Sequence, residues 1–331
     1  MVRSEVAKYA DDEIDARVRT VGAVTAVPDV VQGLRVSRDA WRARAGDRLE
    51  TASFPSQAAV GEIVRTLAAA LYPRRLGRFR GDVAQEDAFV AAQLIAALTD
   101  LEREIGNELR YWQVEAPVDF PAEHAATITR LFAATLPDVR RQIDDDVDAA
   151  YLGDPAARSV DEVLVCYPGA IASLHHRIAH QLHALGAPIV ARLISELANE
   201  RTGIDIHPGA TIGDHFFIDH GTGVVIGETA IIGDRVRLYQ HVTLGARSAP
   251  GPARRPPRAG APRHPVVGDD VVIYAGATIL GHVTIGDRAI IGGNVWLLSD
   301  VAPDSVVVQP EAVTLPNRAA DDVRDALEAA A

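Results

Sequence analysis

Aliphatic residues recur every six positions through the C-terminal part of this chain. Ile206, Ile212 and Ile218 keep the step, as do Ile226, Ile232, Leu238 and Leu244. The count resumes at Val267, Ile273, Ile279, Ile285, Ile291 and Leu297. Two places before an anchor stands a small or aliphatic residue: Ala210, Val224, Ala230, Val236, Val242, Val271, Ala277, Val283, Ala289 or Val295. Glycine is common directly after one, as at Gly213, Gly227, Gly233, Gly245, Gly268, Gly286 and Gly292.

A period of six is neither helical nor that of a plain hairpin. A strand changes sides every two residues, so six residues make one short strand and a corner. The anchor points inward, and the glycine permits the tight backbone a corner needs. Three such sides close a triangular coil, and coils stack into a solenoid with a continuous aliphatic core. An antiparallel sandwich with regular turns has no reason to hold this register across thirteen anchors.

Solenoids place insertions on the face that works. From Ile218 to Ile226 the step is eight, so Asp219-His220-Gly221-Thr222-Gly223 carries two extra residues. Between Leu244 and Val267 an arginine- and proline-rich loop is thrown out, inserted over residues 246–264 and ending at Arg263-His264. Both breaks carry a histidine.

With 331 residues the chain has room for two domains. A net charge of −12 argues against a nucleic-acid partner, because phosphate binding needs a basic face. No apolar stretch is long enough to span a bilayer, and no signal peptide is visible, so the expected location is cytoplasmic. The one cysteine, Cys166, excludes an intramolecular disulfide, and its apolar neighbours predict a buried structural thiol.

Residues 1–57 read as a partly ordered N-terminal extension, and 58–203 as an α-helical domain. Val90, Leu94, Leu98, Leu101 and Ile105 step along one helix face. Pro121 and Pro168 suit the opening turn of a helix. Ile171, Leu174, Ile178, Leu182 and Leu185 keep helical spacing up to Gly186, and Ile189, Leu193 and Leu197 up to Gly203. His175, His176, His180 and His183 crowd the first of these helices without a nearby carboxylate, which predicts structural histidines and no metal. Asp144-Asp145-Asp146 reads as a solvated helix face, and Asp154-Pro155 as a turn between helices. The solenoid is expected over 204–303 and a short helix or loose tail over 304–331.

Read together, the strings DPA at Asp154, HRIAH, DIHPGATIG, IDHGTGVVIGETA, VTLGA and RHP resemble bacterial serine O-acetyltransferase, over roughly residues 140–303. The IDHGTG…IGETA string is more specific than the hexapeptide repeat. The long N-terminal part and the CYPGA string look like that family's longer branch. The resemblance implies an α+β fold in which an N-terminal α-helical domain precedes a left-handed parallel β-helix. It implies acetyl transfer from acetyl-CoA to L-serine in cysteine synthesis, with L-cysteine as feedback inhibitor and a homotrimer or dimer of trimers as the assembly. It also implies that His220 is the general base and Asp205 its orienting carboxylate. That pairing suits the chemistry, since a hydroxyl needs a base within reach and a carboxylate fixes the imidazole tautomer. The fifteen residues between them, close to one coil, place the two on adjacent coils. By the same likeness Asp154, Asp219, Arg263 and His264 hold the amino acid, with Glu228 nearby. Gly245, Ala246, Ala275, Gly276 and Gly293 match positions along the acetyl-CoA groove, where small residues let the pantetheine arm lie on backbone.

Three departures stand out. The loop before Arg263 is long and basic, and Arg254, Arg255 and Arg258 read equally as CoA-phosphate contacts or as a solubilising segment. Ala246 replaces the usual glycine. The ending lacks the terminal isoleucine that docks into O-acetylserine sulfhydrylase, so that complex is not expected. Rival readings are an acetyltransferase for another hydroxyl acceptor such as homoserine, a sugar or an antibiotic, and a non-catalytic trimeric scaffold. A γ-type carbonic anhydrase needs three histidines converging on zinc, and His207, His220, His241 and His264 lack that family's close pair.

Overall fold

The computed structural model describes residues 27–45, 53–115, 119–247 and 261–310. Residues 1–26, the loop segment holding Arg254, Arg255 and Arg258, and the tail from 311 onward lie outside the described residues, so the expectations placed on them go untested. The chain divides into two compact units, one of residues 1–54 with 109–120 and one of 55–108 with 121–331. The first unit holds α1 (Val27–Ala45), a helix the sequence reading missed. In the same unit Phe54 meets Tyr111 edge-on at 5.1 Å.

The second unit holds the solenoid and the remaining helices, except that the end of the long third helix, from residue 109, belongs to the first. Helix α2 (Gln57–Leu71) starts where the Ser56 hydroxyl accepts the Ala59 N–H at 3.4 Å. Helix α3 (Val83–Glu115) buries Leu101 and Ile105, the end of the predicted stripe. Helix α4 (His124–Gly153) begins three residues after Pro121, and α5 (Val160–Cys166) is capped by Ser159. Pro168 opens α6 (Pro168–Ala184), as its fixed φ favours, and Gly186 follows it at φ 94°. Helix α7 (Pro188–Thr202) stops at left-handed Gly203. Among the described residues no helix is long and apolar enough to cross a membrane.

From Asp205 the chain winds into a left-handed parallel β-helix with, among the described residues, fourteen short strands on three faces. The first face stacks β1 (Asp205–Ile206), β4 (Val225–Ile226), β7 (Thr243–Gly245), β10 (Thr278–Leu280) and β13 (Trp296–Leu297). The second stacks β2 (Thr211–Ile212), β5 (Ile231–Ile232), β8 (Val266–Val267) and β11 (Thr284–Ile285). The third stacks β3 (Phe217–Ile218), β6 (Arg237–Leu238), β9 (Val272–Ile273), β12 (Ile290–Ile291) and β14 (Val306–Val307). Every anchor and every small residue two places before one is buried in a single core. Asp205 pairs with Val225, twenty residues on, whereas Val225 pairs with Thr243, eighteen on. The two extra residues are thus absorbed at one corner without disturbing the stack. The stack runs past the expected limit of 303, because β14 pairs with β12.

Two expectations about side chains fail. Cys166 is exposed, at the end of the short helix α5, of which only Val163 and Leu164 are buried. Asp146 is no part of a solvated face. It pairs with Arg177 at 2.9 Å, the two side chains being 2% and 4% exposed. Its carboxylate also accepts the Phe216 N–H at 2.8 Å and the Ser173 hydroxyl. Arg177 in turn donates to the carbonyls of Ile212 and Gly213. This buried group ties α4 and α6 to the first coil. Asp144 and Asp145 do lie outward, bonded to Arg140 and Arg141.

Arg177→Met leaves the Asp146 carboxylate buried without its cation and is expected to lower stability by about 3–5 kcal/mol. Urea denaturation checks this, and an unchanged midpoint contradicts it.

Candidate active site

The corner after β3 carries the expanded step. Asp219 follows the strand with its N–H on the Leu238 carbonyl at 2.8 Å and its side chain largely buried. The chain then turns through left-handed His220 (φ 59°) and Gly221 (φ 86°). A Cβ on Gly221 would sit 2.4 Å from the Ile204 side chain, so glycine is required there. The turn projects the His220 imidazole outward, with 74% of the side chain exposed. Its Nδ1 stands 3.8 Å from Asp219 Oδ1, close but beyond a hydrogen bond.

The end of α4 arrives at the same corner. Asp154 caps that helix, and its carboxylate accepts the Tyr167 hydroxyl at 2.6 Å and the Ala156 N–H at 2.8 Å. Those two bonds, then the charges of Arg237 and His220, hold the Asp154 carboxyl below the usual carboxylate range. The same hydrogen bond pushes the Tyr167 hydroxyl up to about 12, with the charge of Asp219 adding to it. Asp154, Asp219 and His220 therefore share one electrostatic neighbourhood. Sequence reasoning missed Tyr167, although it lies in the CYPGA string, and it missed Arg237. The latter donates to Asp219 Oδ2 at 2.7 Å and to the Gly153 carbonyl at 2.9 Å.

The expected Asp205–His220 pair is not formed. Asp205 opens β1 and lies 3.7 Å from Arg192 on α7, while no hydrogen bond or ion pair among the described residues joins it to His220. The imidazole at the expanded corner is largely exposed, and the charged neighbour of the Asp205 carboxylate is Arg192. Burial raises the Asp205 carboxyl against the pull of Arg192.

The other expected substrate residues lie at the opposite edge of the first face, where it turns into the second. Arg263 is ion-paired with Glu228, and its N–H donates to the Thr229 hydroxyl at 3.0 Å. His264 is buried, and its Nδ1 accepts the Thr229 N–H at 3.0 Å. That bond leaves the ring proton on Nε2 as a donor. Burial, then Arg263, lowers the His264 pKa, so the ring is neutral at pH 7. Burial also favours a raised Glu228 carboxyl, but bonding to and charge pairing with Arg263 bring it below the usual range. His207 is pushed down to about 4, first by burial and then by Arg192.

The small residues divide in the same way. Gly245 and Ala246 end β7 at the edge that carries Glu228. Ala275, Gly276 and Gly293 stack at the corner that carries His220, Gly276 in a left-handed turn at φ 75°. Beside them Tyr239 and Tyr274 stack at 5.1 Å. One six-residue side spans on the order of 15–20 Å at strand rise. A molecule the size of one amino acid cannot bridge the two edges of one protomer.

The four helix histidines have different surroundings, and the ring of His183 meets that of His207 edge-on at 5.7 Å. His175 and His180 donate from Nδ1 to the carbonyls of Ile171 and Pro208, and His176 is buried. No group of three His, Cys, Asp or Glu is arranged to hold a metal ion among the described residues.

Residues 264–299 match the bacterial transferase hexapeptide (six repeats) model. The chain is 49% identical over 263 residues to the serine acetyltransferase, plasmid, of Synechococcus elongatus, covering 78% of this chain and 82% of that protein. It superposes with TM-score 0.66 on Entamoeba histolytica serine acetyltransferase isoform 3 in complex with cysteine, at 34% identity, covering 80% of this chain and 87% of that one. Entamoeba histolytica serine acetyltransferase 1 in complex with L-cysteine gives TM-score 0.66 at 36% identity, covering 74% and 86%.

Tyr167→Phe removes the leading stabiliser of the Asp154 carboxylate, so the pKa of that carboxyl should rise toward its ordinary value. A carbon-13 titration checks this, and an unchanged or lower midpoint contradicts it.

Proposed function

The chain belongs to the serine acetyltransferase family, and from that premise we propose how its residues carry out acetyl transfer to the hydroxyl of L-serine. The acetyl donor is acetyl-CoA. His220 is the general base. It takes the serine hydroxyl proton as the oxygen attacks the thioester carbonyl, and the tetrahedral intermediate collapses with release of CoA, whose sulfur recovers the proton. The serine ammonium lies between Asp154 and Asp219. Its carboxylate meets Arg263, whose fork suits two oxygens, and the Nε2–H of His264.

One observation carries this arrangement: the base and the two ammonium-binding carboxylates stand at one edge of the first face, Arg263 and His264 at the other. A single serine is therefore held between two copies of the chain, His220 from one and Arg263 with His264 from the partner subunit. A closed trimer makes three such sites. The small residues follow suit, Ala275, Gly276 and Gly293 from one copy facing Gly245 and Ala246 of the next along the pantetheine arm. Asp205 serves as orienting carboxylate once the exposed imidazole turns back toward β1. L-cysteine has the same ammonium and carboxylate as serine, and the Entamoeba relatives are described in complex with it, so it competes for this site.

His220→Ala is expected to lower kcat with L-serine by about 10²–10⁴-fold. Thiol release from acetyl-CoA measures it, with homoserine and a hexose as comparison acceptors. Retention of most of the wild-type kcat contradicts the role of His220, and a preference for either comparison acceptor contradicts the serine site. Mixing inactive His220→Ala with inactive Arg263→Ala, after dissociation and reassembly, restores about one quarter of the sites if each is shared. No recovery contradicts the shared site.

A further inference from the structure

We propose that Arg237 is the positioning residue of the ammonium site, the brace that holds Asp154 and Asp219 on one cation although they come from different parts of the fold. The inference rests on the reading of that site given above.

Asp154 sits in a turn after α4, and Asp219 sits at a corner of the β-helix. Nothing in either element alone sets their separation. Arg237 bridges them. Its Nη2 donates to Asp219 Oδ2 at 2.7 Å, and its Nη1 donates to the carbonyl of Gly153, the residue before Asp154, at 2.9 Å. The guanidinium is itself fixed, lying 4.8 Å over the Phe217 ring and 4.8 Å over the Tyr239 ring. Phe217 is the residue directly below Arg237 in the third face, and it also abuts Gly153, where a Cβ would fall 3.0 Å from its ring. Arginine is suited to this task because its planar fork donates in two directions while its faces stack on aromatic rings.

The bonding pattern also leaves the right atoms free. Arg237 occupies Oδ2 of Asp219, so Oδ1, the oxygen beside His220, remains for a ligand. Two carboxylates and one guanidinium leave a single net negative charge at this corner, which one ammonium cancels. The position is legible as a departure from the repeat: Arg237 is the only cation that precedes an anchor in the third-face strands, where Phe217, Val272 and Ile290 hold the equivalent place.

Steady-state kinetics on the full chain tests this, with Arg237→Met, Arg237→Lys and Asp219→Asn measured beside thermal melting. Met keeps the stacking but loses both bonds, and Lys keeps the charge but loses the fork. The expected result is a serine KM raised about tenfold or more by Met and less by Lys, with the acetyl-CoA KM unchanged within about twofold. Three results overturn the proposal. If Arg237→Met leaves the serine KM unchanged while Asp219→Asn raises it, Arg237 has no such role and the site reading stands. If Met raises both KM values and lowers the melting temperature together, the role is merely structural. If Asp219→Asn leaves the serine KM unchanged, the reading of the ammonium site itself fails, and the role of Arg237 with it.

Discussion

The inward column of aliphatic residues governs everything else in the β-helix. Each side of a coil gives one anchor and one smaller residue to a core in which nearly every position is fully buried. Such a core is packed to the density of a crystal and tolerates no polar intrusion. Chemistry is thereby confined to corners and outward positions. The two places where the six-residue rhythm breaks are corners, and those corners carry His220, Arg263 and His264. The core keeps its register because the extra residues leave it: Asp205 to Val225 is a longer coil than Val225 to Thr243, yet the strands still pair.

The same geometry separates the working groups. A triangular coil holds its corners apart by one side, so residues eight apart in sequence, His220 and Glu228, end at different edges. Helices supply what the solenoid cannot. The turn after α4 delivers Asp154 beside Asp219, and the buried Asp146–Arg177 pair fixes α4 and α6 on the first coil through Ile212, Gly213 and Phe216. A buried pair of this kind contributes less to net stability than to fixing one arrangement, because desolvation offsets much of the attraction. Here that arrangement docks α4, the helix that Asp154 caps, on the first coil. In the proposed arrangement the helical layer thus contributes to the site as well as the solenoid.

Much of this is legible in the sequence where a period states the environment. The anchors, the corner glycines and the extra residues at His220 all follow from counting. Helix ends at Gly186 and Gly203 follow from backbone freedom. What is hidden depends on tertiary contact. Asp146 sits in an acidic run, and nothing local distinguishes it from Asp144 and Asp145. Its partner Arg177 is thirty-one residues away. Cys166 looks buried because its neighbours are apolar, but it ends a short helix and is exposed. Arg237 occupies an outward strand position like any other until Asp219 and Gly153 are placed beside it. Spacing puts Asp205 and His220 on adjacent coils, but it does not show that Asp205 has Arg192 as a neighbour or that Asp219 stands 3.8 Å from the imidazole.

The central claim is that one serine is held by two copies of the chain. A structure of the assembled protein with L-serine bound tests it most directly. The account predicts the ammonium within hydrogen-bond distance of Asp154 and Asp219 of one protomer, and the carboxylate on Arg263 and His264 of the partner subunit. A serine whose ammonium and carboxylate are both bound by residues of a single protomer would contradict it.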